Sequence, residues 1–465
     1  MENRIIMDNW TCQFIPMNHR VHKVLDYRLA IRVLNYQFTT SYQRGTWDGK
    51  YHFYKANTGK FPTGLLQVVL STLESINETA TVIDKRIKPK LTTPICSALH
   101  GIDLRSYQIE AAARILEAAR CIVKAATNAG KTEIMAEILR KLNLPSLVLV
   151  HRKELLYQTA ERLSLRLGVP IGMIGDGIED IKRITVCMPQ TVVKSIKDPA
   201  SGSTDFIVNA KFKKLFDCAV LILDECHNLP DTRILHMVKR SIAYYRIAMS
   251  GTPLLNSDVD NHMLRGQFGE IAFEITNAEL ISLGVSSVPT CQYHRLNQEG
   301  LETASWKDAY KKGIVNSDKR NNLIASMAQE HGKKLSVLII VKDVQHGHQL
   351  CRKIPQSSFI HGSLPSEMRM NAIKAFKDGR INMLISTVIL DEGVDISNID
   401  VLILAAGGKA PKRVLQRVGR GLRKKESNKL LVIDFLDTGN LYLIEHSQER
   451  VNTLKQEGFA VQLAQ

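Results

Sequence analysis

The stretch CIVKAATNAGKTEIMAEILRKL, residues 121–142, decides the fold because a strand, a turn and a helix follow one another in it. The segment 121–126 predicts a buried strand, and the segment 132–142 has the apolar spacing of an amphipathic helix. Between them, Gly130, Lys131 and Thr132 match the end of the phosphate-binding loop pattern, but Ala125 stands where its first glycine is expected. By itself the stretch leaves two interpretations open, a nucleotide-binding loop or an ordinary turn.

Short apolar runs without alternation recur from residue 100 onward, and amphipathic segments separate them. Such runs are typical of parallel strands covered by helices on both faces, and their alternation with helices is the βαβ pattern. We therefore predict an α/β protein with two doubly wound parallel-sheet lobes in tandem, preceded by a small α+β domain. Besides residues 121–126, the predicted strands are residues 146–150, 184–188, 219–224, 246–251, 335–341, 381–387, 401–406 and 430–435.

The predicted domain boundaries follow these changes in pattern. The small N-terminal domain comprises residues 1–95, the first lobe residues 96–288 and the second lobe residues 289–465. The basic, proline-containing segment 83–97 predicts a linker.

Within the N-terminal domain, Asp48-Gly49 is a strong hairpin signal, and residues 50–54 alternate as a strand does. That alternation implies that only one pair faces outward, either Tyr51 with Phe53 or His52 with Tyr54. Residues 62–76 have the pattern of a helix.

The chain is basic, with a formal net charge of +16 over 465 residues. Residues 1–100 contain 13 Lys and Arg against 7 Asp and Glu, residues 101–284 contain 23 against 21, and residues 285–465 contain 26 against 18. The excess positive charge therefore lies in the two flanks. A polyanionic partner such as nucleic acid is one explanation, and a solvated basic surface without a specific partner is the other.

The eight cysteines are scattered as single residues, and no two form a CxxC pair. That arrangement predicts reduced thiols in a cytosolic protein rather than a zinc site, a redox pair or an iron–sulfur cluster. No apolar run approaches the ~20 residues that a membrane-spanning helix needs, and the first residues contain no apolar signal segment. We expect a cytoplasmic protein without a membrane partner.

Two adjacent acids, Asp224 and Glu225, lie at the carboxyl end of the predicted strand 219–224. Doubly wound sheets bind ligands at that edge. An aspartate there suits Mg²⁺ coordination, and an adjacent glutamate can orient or deprotonate an attacking water. Together with Lys131, which would reach the phosphates, and Thr132, whose hydroxyl would bind the metal, they supply both halves of a nucleotide site. We expect ATP and Mg²⁺ as cofactors.

With these residues, the chain resembles the superfamily 2 helicases that have a DExH box and a ResIII-like core. The resemblance covers roughly residues 100–440. The sequence DECH at 224–227 and the loop TNAGKT at 127–132 resemble the first two helicase motifs, and the family's loops often lack the first glycine. LRSYQIEAA at 104–112 resembles the adenine-reading segment, and STVILDEGVDI at 386–396 resembles motif V. The resemblance implies two RecA-like lobes. The implied nucleotide-binding residues are Gln108, Thr127, Asn128, Ala129, Gly130, Lys131, Thr132, Gly393 and Asp395.

The segment QRVGRGLR at 416–423 resembles helicase motif VI, and SGT at 250–252 resembles helicase motif III. Arg420 and Arg423 share one face of a helix by their spacing, so they can reach a γ-phosphate or can simply face solvent. The resemblance favours the first reading. It implies Glu225, Asp224, Lys131, Arg420, Arg423 and Gln416 as catalytic residues, Thr132 and Asp224 as metal ligands, and His227, Ser250 and Thr252 as coupling residues.

Three further segments resemble motifs that touch nucleic acid in this family. They are VHRKELLYQ at 150–158 for motif Ia, MPQTV at 188–192 for motif Ib, and FIHGSL at 359–364 for motif IVa. The implied nucleic-acid contacts in the two lobes are Arg152, Gln190, Thr191, His361, Gly362 and Thr387.

The segment YQRGTWDGKYHFYKANTGKFPTGLL, residues 42–66, resembles the N-terminal domain of the UvsW-type phage DNA helicases. Its interleaved basic and aromatic residues suit phosphate contact combined with base stacking. We expect Arg44, Lys50 and Lys55 to contact phosphates. Trp47 is the aromatic candidate, and a buried structural role for it is the alternative.

These resemblances together imply an ATP-hydrolysing superfamily 2 DNA helicase or translocase that remodels branched DNA, such as forks or Holliday junctions, in replication, recombination or repair. We expect a monomer, with replication or recombination proteins as possible partners, in the host cytoplasm if the chain is phage-encoded. An RNA helicase, a duplex-DNA translocase that separates no strands, and a catalytically silent DNA-binding scaffold remain open alternatives.

Overall fold

The computed structural model of the chain describes residues 2–15, 18–197, 204–254, 256–286, 288–387, 399–408, 429–456 and 459–463. The chain forms two compact units. The first comprises residues 1–125 and 130–274, and the second comprises residues 126–129 and 275–465.

The first unit begins with a small mixed region. Its elements are β1 (Arg4–Met7), β2 (Thr11–Ile15), α1 (His19–Arg28), β3 (Ala30–Arg32), α2 (Thr40–Gln43), β4 (Lys50–His52), β5 (Lys60–Pro62), α3 (Leu66–Ser75) and β6 (Thr81–Asp84). Among the described residues, four strands form a sheet in the order β5-β2-β1-β6, and β3 pairs with β4 as a separate ribbon. The core of this region is apolar and closely packed, with Phe14, Leu25, Phe61 and Val69 fully buried.

This small region is docked on the rest of the first unit through backbone groups. The indole Nε1 of Trp10 donates to the Ser241 carbonyl at 2.6 Å, and Arg120 Nη2 donates to the Asn9 carbonyl at 2.7 Å. Gly64 packs so closely on a neighbouring helix that a Cβ there would overlap the Arg265 carbonyl oxygen. The contact therefore requires a residue without a side chain at this position.

The remainder of the first unit is the first lobe. Its elements are α4 (Ser106–Ala118), β7 (Arg120–Ala125), α5 (Lys131–Leu142), β8 (Ser146–Leu149), α6 (Lys153–Leu167), β9 (Gly172–Gly175), β10 (Ile178–Asp180), β11 (Ile184–Cys187), α7 (Pro189–Val192), β12 (Val193–Lys197), β13 (Thr204–Val208), β14 (Val220–Asp224), α8 (Thr232–Arg240), β15 (Tyr245–Ser250), α9 (Asp258–Phe268) and β16 (Ile271–Ile275). Within the described ranges, eight strands form one sheet in the order β10-β9-β11-β8-β14-β15-β7-β16. Neighbours from β9 to β7 run parallel, and β12 pairs with β13 as a separate antiparallel hairpin.

The second unit contains another parallel sheet. Its elements are α10 (Asn277–Ser282), β17 (Val288–Asn297), α11 (Trp306–Tyr310), α12 (Asp318–Gly332), β18 (Val337–Ile340), α13 (Val344–Lys353), β19 (Ser358–Ile360), α14 (Ser366–Lys377), β20 (Met383–Ser386), β21 (Val401–Leu404), β22 (Lys429–Thr438), α15 (Leu441–Gln456) and β23 (Ala460–Leu463). In the part of the chain that is described, seven strands lie in the order β19-β20-β18-β21-β22-β17-β23, and neighbours are parallel.

Two ion pairs are buried in the core of the second unit. Arg320 Nε lies 3.1 Å from Asp437 Oδ1, and Arg450 Nε lies 2.9 Å from Asp434 Oδ2. Each guanidinium makes further bonds to backbone carbonyls, so that Arg450 Nη1 also donates to Gly408 O at 2.7 Å. Buried charges are tolerated when they are paired and hydrogen-bonded in this way.

The predicted α/β fold with two parallel-sheet lobes is confirmed, because every predicted apolar run contributes a strand to one of the two sheets. Within the described ranges, no helix has the length and apolar content to cross a membrane. All eight cysteines are free thiols. The three-domain division with boundaries at residues 95 and 288 stays a prediction.

The predicted alternation of residues 50–54 is wrong. The strand ends at His52, and Phe53 and Tyr54 both turn into the core while Tyr51 is exposed. The hydroxyl of Tyr54 pairs with His22 Nδ1 at 2.6 Å, and its ring stacks on Phe61. Burial of two consecutive aromatic rings outweighs the continuation of a short ribbon.

Candidate nucleotide site and nucleic-acid interface

The sheet order of the first lobe brings the predicted catalytic segments to one edge. Strand β15 lies between β14 and β7, and the register aligns Asp224 with Met249 and Ser250 with Lys124. The acid pair, Ser250 and the turn after β7 therefore emerge from three adjacent parallel strands. This is the carboxyl edge, where open α/β sheets bind ligands.

The turn between β7 and α5 has the backbone of a phosphate loop. Asn128 and Gly130 both adopt left-handed conformations, with φ of 75° and 76°. A Cβ at Gly130 would overlap Nε2 of the Gln108 side chain, which lies directly beside it. Gln108 also fixes the start of α4, because its Oε1 accepts a bond from the Arg105 amide at 3.0 Å. The predicted adenine-reading glutamine is thus buried against the loop.

Lys131 is the first residue of α5 and forms an ion pair across the edge of the sheet. Its Nζ donates to Glu225 Oε1 at 2.8 Å. Glu225 has a left-handed backbone with φ of 47°, and its amide donates to Asp224 Oδ1 at 2.9 Å. Strained backbone of this kind persists where the surroundings determine it, and it is frequent at functional sites. The strained turn directs the Glu225 side chain to the lysine.

The three charged groups alter one another's ionisation. Burial is the largest influence on each and disfavours its charged form. At Glu225 the fields of Lys131 and His227 outweigh burial and lower the pKa to about 2. The pKa of Lys131 is raised by Glu225 and Asp224, whereas burial raises the pKa of Asp224. Lys131 and Glu225 therefore form a charged pair at neutral pH.

The predicted coupling residues are brought together beside this pair. His227 Nδ1 lies 2.9 Å from Ser250 Oγ and 3.4 Å from Glu225 Oε2. Ser250 Oγ donates to Glu225 Oε2 at 3.4 Å and accepts a bond from the Thr252 amide at 3.1 Å. These contacts join Glu225 and His227, which follow β14, to Ser250 at the end of β15. A change at Glu225 can thus reach the Ser250–Thr252 turn directly.

The residues at this edge fit a nucleotide phosphate with Mg²⁺. The free amides at the start of α5 and the Lys131 ammonium are donors suited to an anion. The Thr132 hydroxyl and the Asp224 carboxylate are oxygen groups of the kind that Mg²⁺ prefers. The Lys131 partner is a carboxylate, which a phosphate can replace with the same charge-assisted bond.

Sequence reasoning missed a contact between the two helices that begin at this edge. Glu133 on α5 accepts from Arg162 Nε at 2.7 Å and from Arg166 Nε at 3.2 Å, both on α6. Helix α5 starts at the phosphate loop, and α6 starts directly after Arg152, a predicted nucleic-acid contact. No local pattern marks the pair, because the partners lie 29 and 33 residues apart.

One of the predicted nucleic-acid residues of the first lobe lies at a cavity of about 360 Å³. Gln190 lines it, and its Nε2 donates to the His151 carbonyl at 3.3 Å. His151 and Asn228, which the sequence did not single out, line the same cavity 3.5 Å apart. The cavity also borders His227 of the DECH segment 224–227. It therefore lies between that segment and the segments that resemble motifs Ia and Ib. Arg152 precedes α6 and Thr191 lies within α7, and both are half-buried.

In the second unit, His361 and Gly362 follow β19, and Thr387 follows the neighbouring strand β20. The Thr387 amide donates to Ile360 O at 3.1 Å, and the residue is buried. The ring of His361 contacts Phe359, with 5.0 Å between centroids. The remaining predicted residues of this lobe, Gly393, Asp395, Gln416, Arg420 and Arg423, lie outside the described residues.

In the N-terminal region, Arg44 and Lys55 are exposed and Lys50 is half-buried. Trp47 is half-buried, and its Nε1 donates to the Lys50 carbonyl at 2.8 Å, which closes the Asp48-Gly49 turn. The indole therefore has a structural bond of its own. Two exposed aromatic residues, Tyr27 and Phe38, were missed because they lie upstream of the segment with the sequence resemblance.

Comparison with known families agrees with this geometry. Residues 101–255 match the family described as "Type III restriction enzyme, res subunit", and residues 318–425 match the "Helicase conserved C-terminal domain". The two matches contain the phosphate loop, the acid box and the segment with the predicted arginine fingers.

Individual proteins are similar over most of the chain. The ATP-dependent DNA helicase uvsW of Enterobacteria phage T4 is 24% identical over 485 residues, with 94% of each chain covered. The DNA 3'-5' translocase XPB2 of Sulfurisphaera tokodaii is 26% identical over 377 residues, covering 71% of this chain and 81% of that one. The solved structure of S. cerevisiae Dbp5 bound to RNA and ADP BeF3 shares the fold, with a TM-score of 0.51 at 16% identity over 77% of this chain and 94% of that one. The chain therefore belongs to the superfamily 2 helicases, ATP-hydrolysing enzymes built on two RecA-like lobes.

Proposed function

We propose that the chain is an ATP-dependent DNA helicase that remodels branched DNA, such as forks or four-way junctions. The observation that carries the proposal is the chain of contacts from Lys131 through Glu225 to His227 and Ser250. It gives the residue that would bind phosphate a direct connection to the turn that would respond to hydrolysis.

In this mechanism Lys131 exchanges partners during each cycle. In the structure its ammonium pairs with Glu225. When ATP binds, the ammonium moves to the β- and γ-phosphates, and the Glu225 carboxylate becomes available to orient the attacking water. Because Glu225 also contacts His227 and Ser250, the exchange alters the hydrogen bonds at the end of β15.

Other residues complete the proposed reaction. Mg²⁺, held by Thr132 and Asp224, would neutralise charge that develops on the phosphates. Gln108 would contact the adenine, and Thr127, Asn128 and Ala129 would offer backbone amides to the phosphates. Gln416, Arg420 and Arg423, with Gly393 and Asp395, remain assigned by their sequence motifs alone.

One observation supports DNA as the nucleic acid, and a second supports a nucleic acid of either kind. Relatives that cover most of the chain are named as a DNA helicase and a DNA translocase. The positive charge of residues 1–100 is concentrated between residues 18 and 60, a segment that contains eight Lys and Arg and two acidic residues. A basic surface of this kind attracts the phosphate backbone. Action on branched DNA agrees with the N-terminal resemblance to the UvsW type.

A duplex-DNA translocase that separates no strands is the second candidate. The name of the Sulfurisphaera relative and the match to the restriction-enzyme family favour it. The two functions share the ATP site, so they differ in strand displacement and not in hydrolysis.

ATP hydrolysis on a panel of nucleic acids, combined with strand displacement, tests the proposal. The panel contains single-stranded DNA, a DNA fork, a four-way junction and structured RNA. We expect low hydrolysis without nucleic acid, the strongest stimulation by branched DNA, and displacement of a labelled strand. Equal stimulation by structured RNA would instead indicate an RNA helicase, and stimulation without displacement would indicate the translocase.

A further inference from the structure

The two-stranded ribbon of β3 and β4 presents cations over aromatic rings. The register places Arg32 directly opposite Lys50, and residues directly opposite in an antiparallel pair share a face. Lys50 Nζ lies 5.2 Å from the centre of the Tyr27 ring, and the Arg32 guanidinium lies 4.8 Å from the centre of the Tyr36 ring. Two cation–π pairs are therefore adjacent on one face, which we call the aromatic–basic face.

The rings on this face are accessible. Tyr27 is 77% exposed, and Phe38, the last residue of the single helical turn Tyr36–Phe38, is 75% exposed. Tyr36 packs against the hairpin turn so closely that a Cβ at Gly49 would overlap its ring. Tyr42 meets the Tyr36 ring edge-on at 4.6 Å. Large aromatic residues usually bury their rings, so an exposed group of them beside cations indicates a binding surface.

The charge of this region favours an anionic partner. Asp26 and Asp48 are the only acidic residues between 18 and 60, and His52 engages both. His52 Nδ1 lies 2.7 Å from Asp26 and its Nε2 lies 3.0 Å from Asp48. The carboxylates are thus occupied by an imidazole, and the surrounding lysines and arginines face solvent. Arg20, Lys23, Arg28, Arg32, Arg44, Lys55 and Lys60 are all exposed.

The opposite face of the ribbon is fixed to the first lobe. Tyr51 points to that side and contacts Phe53 at 4.6 Å, and Phe53 in turn contacts His262 of α9. Val259 and Met263 of the same helix pack on the core of the N-terminal region. A base held on the aromatic–basic face would therefore be held in a constant position relative to the first lobe.

From these observations we infer that the aromatic–basic face binds unpaired nucleotides of a DNA strand, with bases stacked on Tyr27 and Phe38 and phosphates on Arg32 and Lys50. Stacking on exposed rings next to cations is how proteins hold single strands without reading sequence. A duplex keeps its bases stacked on one another, so it offers this face only phosphates. The inference rests on the proposed function, because it places the unpaired strand of a branch on the N-terminal region.

The experiment compares full-length variants in DNA binding without nucleotide. Tyr27→Ala should weaken binding to a fork with single-stranded arms by roughly tenfold and leave blunt duplex binding unchanged, and Tyr27→Phe, which keeps the ring, should bind as the wild type does. Arg32→Ala and Lys50→Ala should weaken binding and reduce its dependence on salt. Lys88→Ala, which removes an exposed charge outside the region, is the matched control.

Stacking itself is read by 2-aminopurine placed in the single-stranded arm, whose fluorescence falls when it stacks. The wild type and Tyr27→Phe should quench it, and Tyr27→Ala should not. Unchanged fork affinity and unchanged quenching in Tyr27→Ala would overturn the inference. So would a loss of affinity for blunt duplex equal to the loss of affinity for the fork. Loss of self-association in Tyr27→Ala with intact fork binding would assign the face to protein contacts instead. Failure of the proposed function would appear separately, as a wild type that binds forks but displaces no strand.

Discussion

The Nζ atom of Lys131 lies 2.8 Å from Oε1 of Glu225, so the phosphate-loop lysine and the box glutamate form one ion pair. They come from different elements, the start of α5 and the turn after β14. The same carboxylate also contacts His227 and Ser250. A single side chain therefore connects the predicted nucleotide-binding loop to the predicted coupling residues.

Glu225→Gln should abolish hydrolysis while preserving nucleotide binding. The amide keeps the shape of the side chain but cannot serve as a base, and it no longer holds Lys131 by charge. We expect DNA-stimulated ATP hydrolysis to fall by about a hundredfold or more, with ATP affinity equal to or better than that of the wild type. Steady-state hydrolysis and equilibrium binding of a fluorescent ATP analogue measure the two effects. Glu274→Gln, which changes a surface pair with Lys124, is the control.

Ser250→Ala should uncouple hydrolysis from strand separation. The hydroxyl bridges His227, Glu225 and the Thr252 amide, and it is not among the predicted phosphate-binding residues. We expect hydrolysis to remain within a few-fold of the wild type and displacement of a fork strand to fall much more. The ratio of base pairs displaced to ATP hydrolysed is the measurement, with Ser164→Ala on α6 as control. A proportional fall of both rates would contradict the assignment.

His52 bonds to both Asp26 and Asp48, an arrangement that we call the His52 clamp. The clamp should make the folding stability of the N-terminal region depend on pH. Hydrogen bonding to Asp26 is the largest cause that raises the His52 pKa above its ordinary value of 6.5. The contribution of protonated His52 to folding stability is thus complete below pH 6.5, and it is lost as pH rises through the raised pKa. At Asp48, bonds from the Lys50 amide and His52 outweigh burial and lower the pKa, so its contribution is present above pH 3.8 and is lost as pH falls through the lowered value.

An NMR titration of the His52 imidazole tests this expectation. The midpoint should lie above 6.5 in the wild type and fall in Asp26→Asn, which removes the strongest partner. The loss of thermal stability between about pH 5.5 and about pH 8.5 should be smaller in His52→Gln than in the wild type. A midpoint at or below 6.5 would show that the clamp does not hold in solution.

The Arg450–Asp434 pair should be essential to the second unit. Asp434→Asn leaves a buried guanidinium without its charged partner, and such a change typically costs about 3–5 kcal/mol. Of the two bonds that Arg450 makes to this carboxylate, at 2.9 and 3.1 Å, the Asn amide can keep at most one, and that bond has no negative charge. The midpoint of urea unfolding, followed by a probe in the second unit, should fall accordingly. Asp400→Asn is the control, since Asp400 is half-buried at the start of β21 and accepts a bond from the Ser336 amide, which an amide oxygen can also accept.

Gly64→Ala should loosen the docking of the N-terminal region on α9. The added Cβ would overlap the Arg265 carbonyl and come within 2.7 Å of both the Gly266 carbonyl oxygen and the Gly269 amide. Overpacking of this kind costs about 1–3 kcal/mol. Faster amide hydrogen exchange in Trp10–Thr11 and at residues 63–66 would report the loosening, and unchanged exchange would show that the interface adapts. Ser71→Ala, on the exposed face of α3, is the matched control.

The residues of the candidate nucleotide site could be named from the sequence because they lie at or directly after the ends of apolar strands. Asp224 is the last residue of β14, at the edge where doubly wound sheets bind ligands, and Lys131 begins the helix that follows β7. The contact of Ser250 with Glu225 and His227 follows only from the strand order, in which β15 lies between β14 and β7. The sequence contains no local pattern for that order. The family resemblance was therefore needed to group Ser250 with His227.

The N-terminal region was predicted less well, for a physical reason. Its short strands lack long apolar runs, so burial of individual rings and not periodicity decides which residue faces outward. Trp47 and Tyr54 lie in the segment that the resemblance singled out, yet their polar atoms find partners inside the fold. Tyr27 and Phe38, which the sequence did not single out, are exposed aromatic residues. The exposed pair lies outside the motif and became visible only in three dimensions.

The most direct test of the central claim is ATP-driven displacement of a labelled strand from a DNA fork, measured side by side for the wild type and Lys131→Ala. The wild type should displace the strand only with ATP and Mg²⁺. Lys131→Ala should bind the fork normally and displace no strand, because the phosphates lose their cation. Displacement by Lys131→Ala at the wild-type rate, or displacement by the wild type without ATP, would contradict the account.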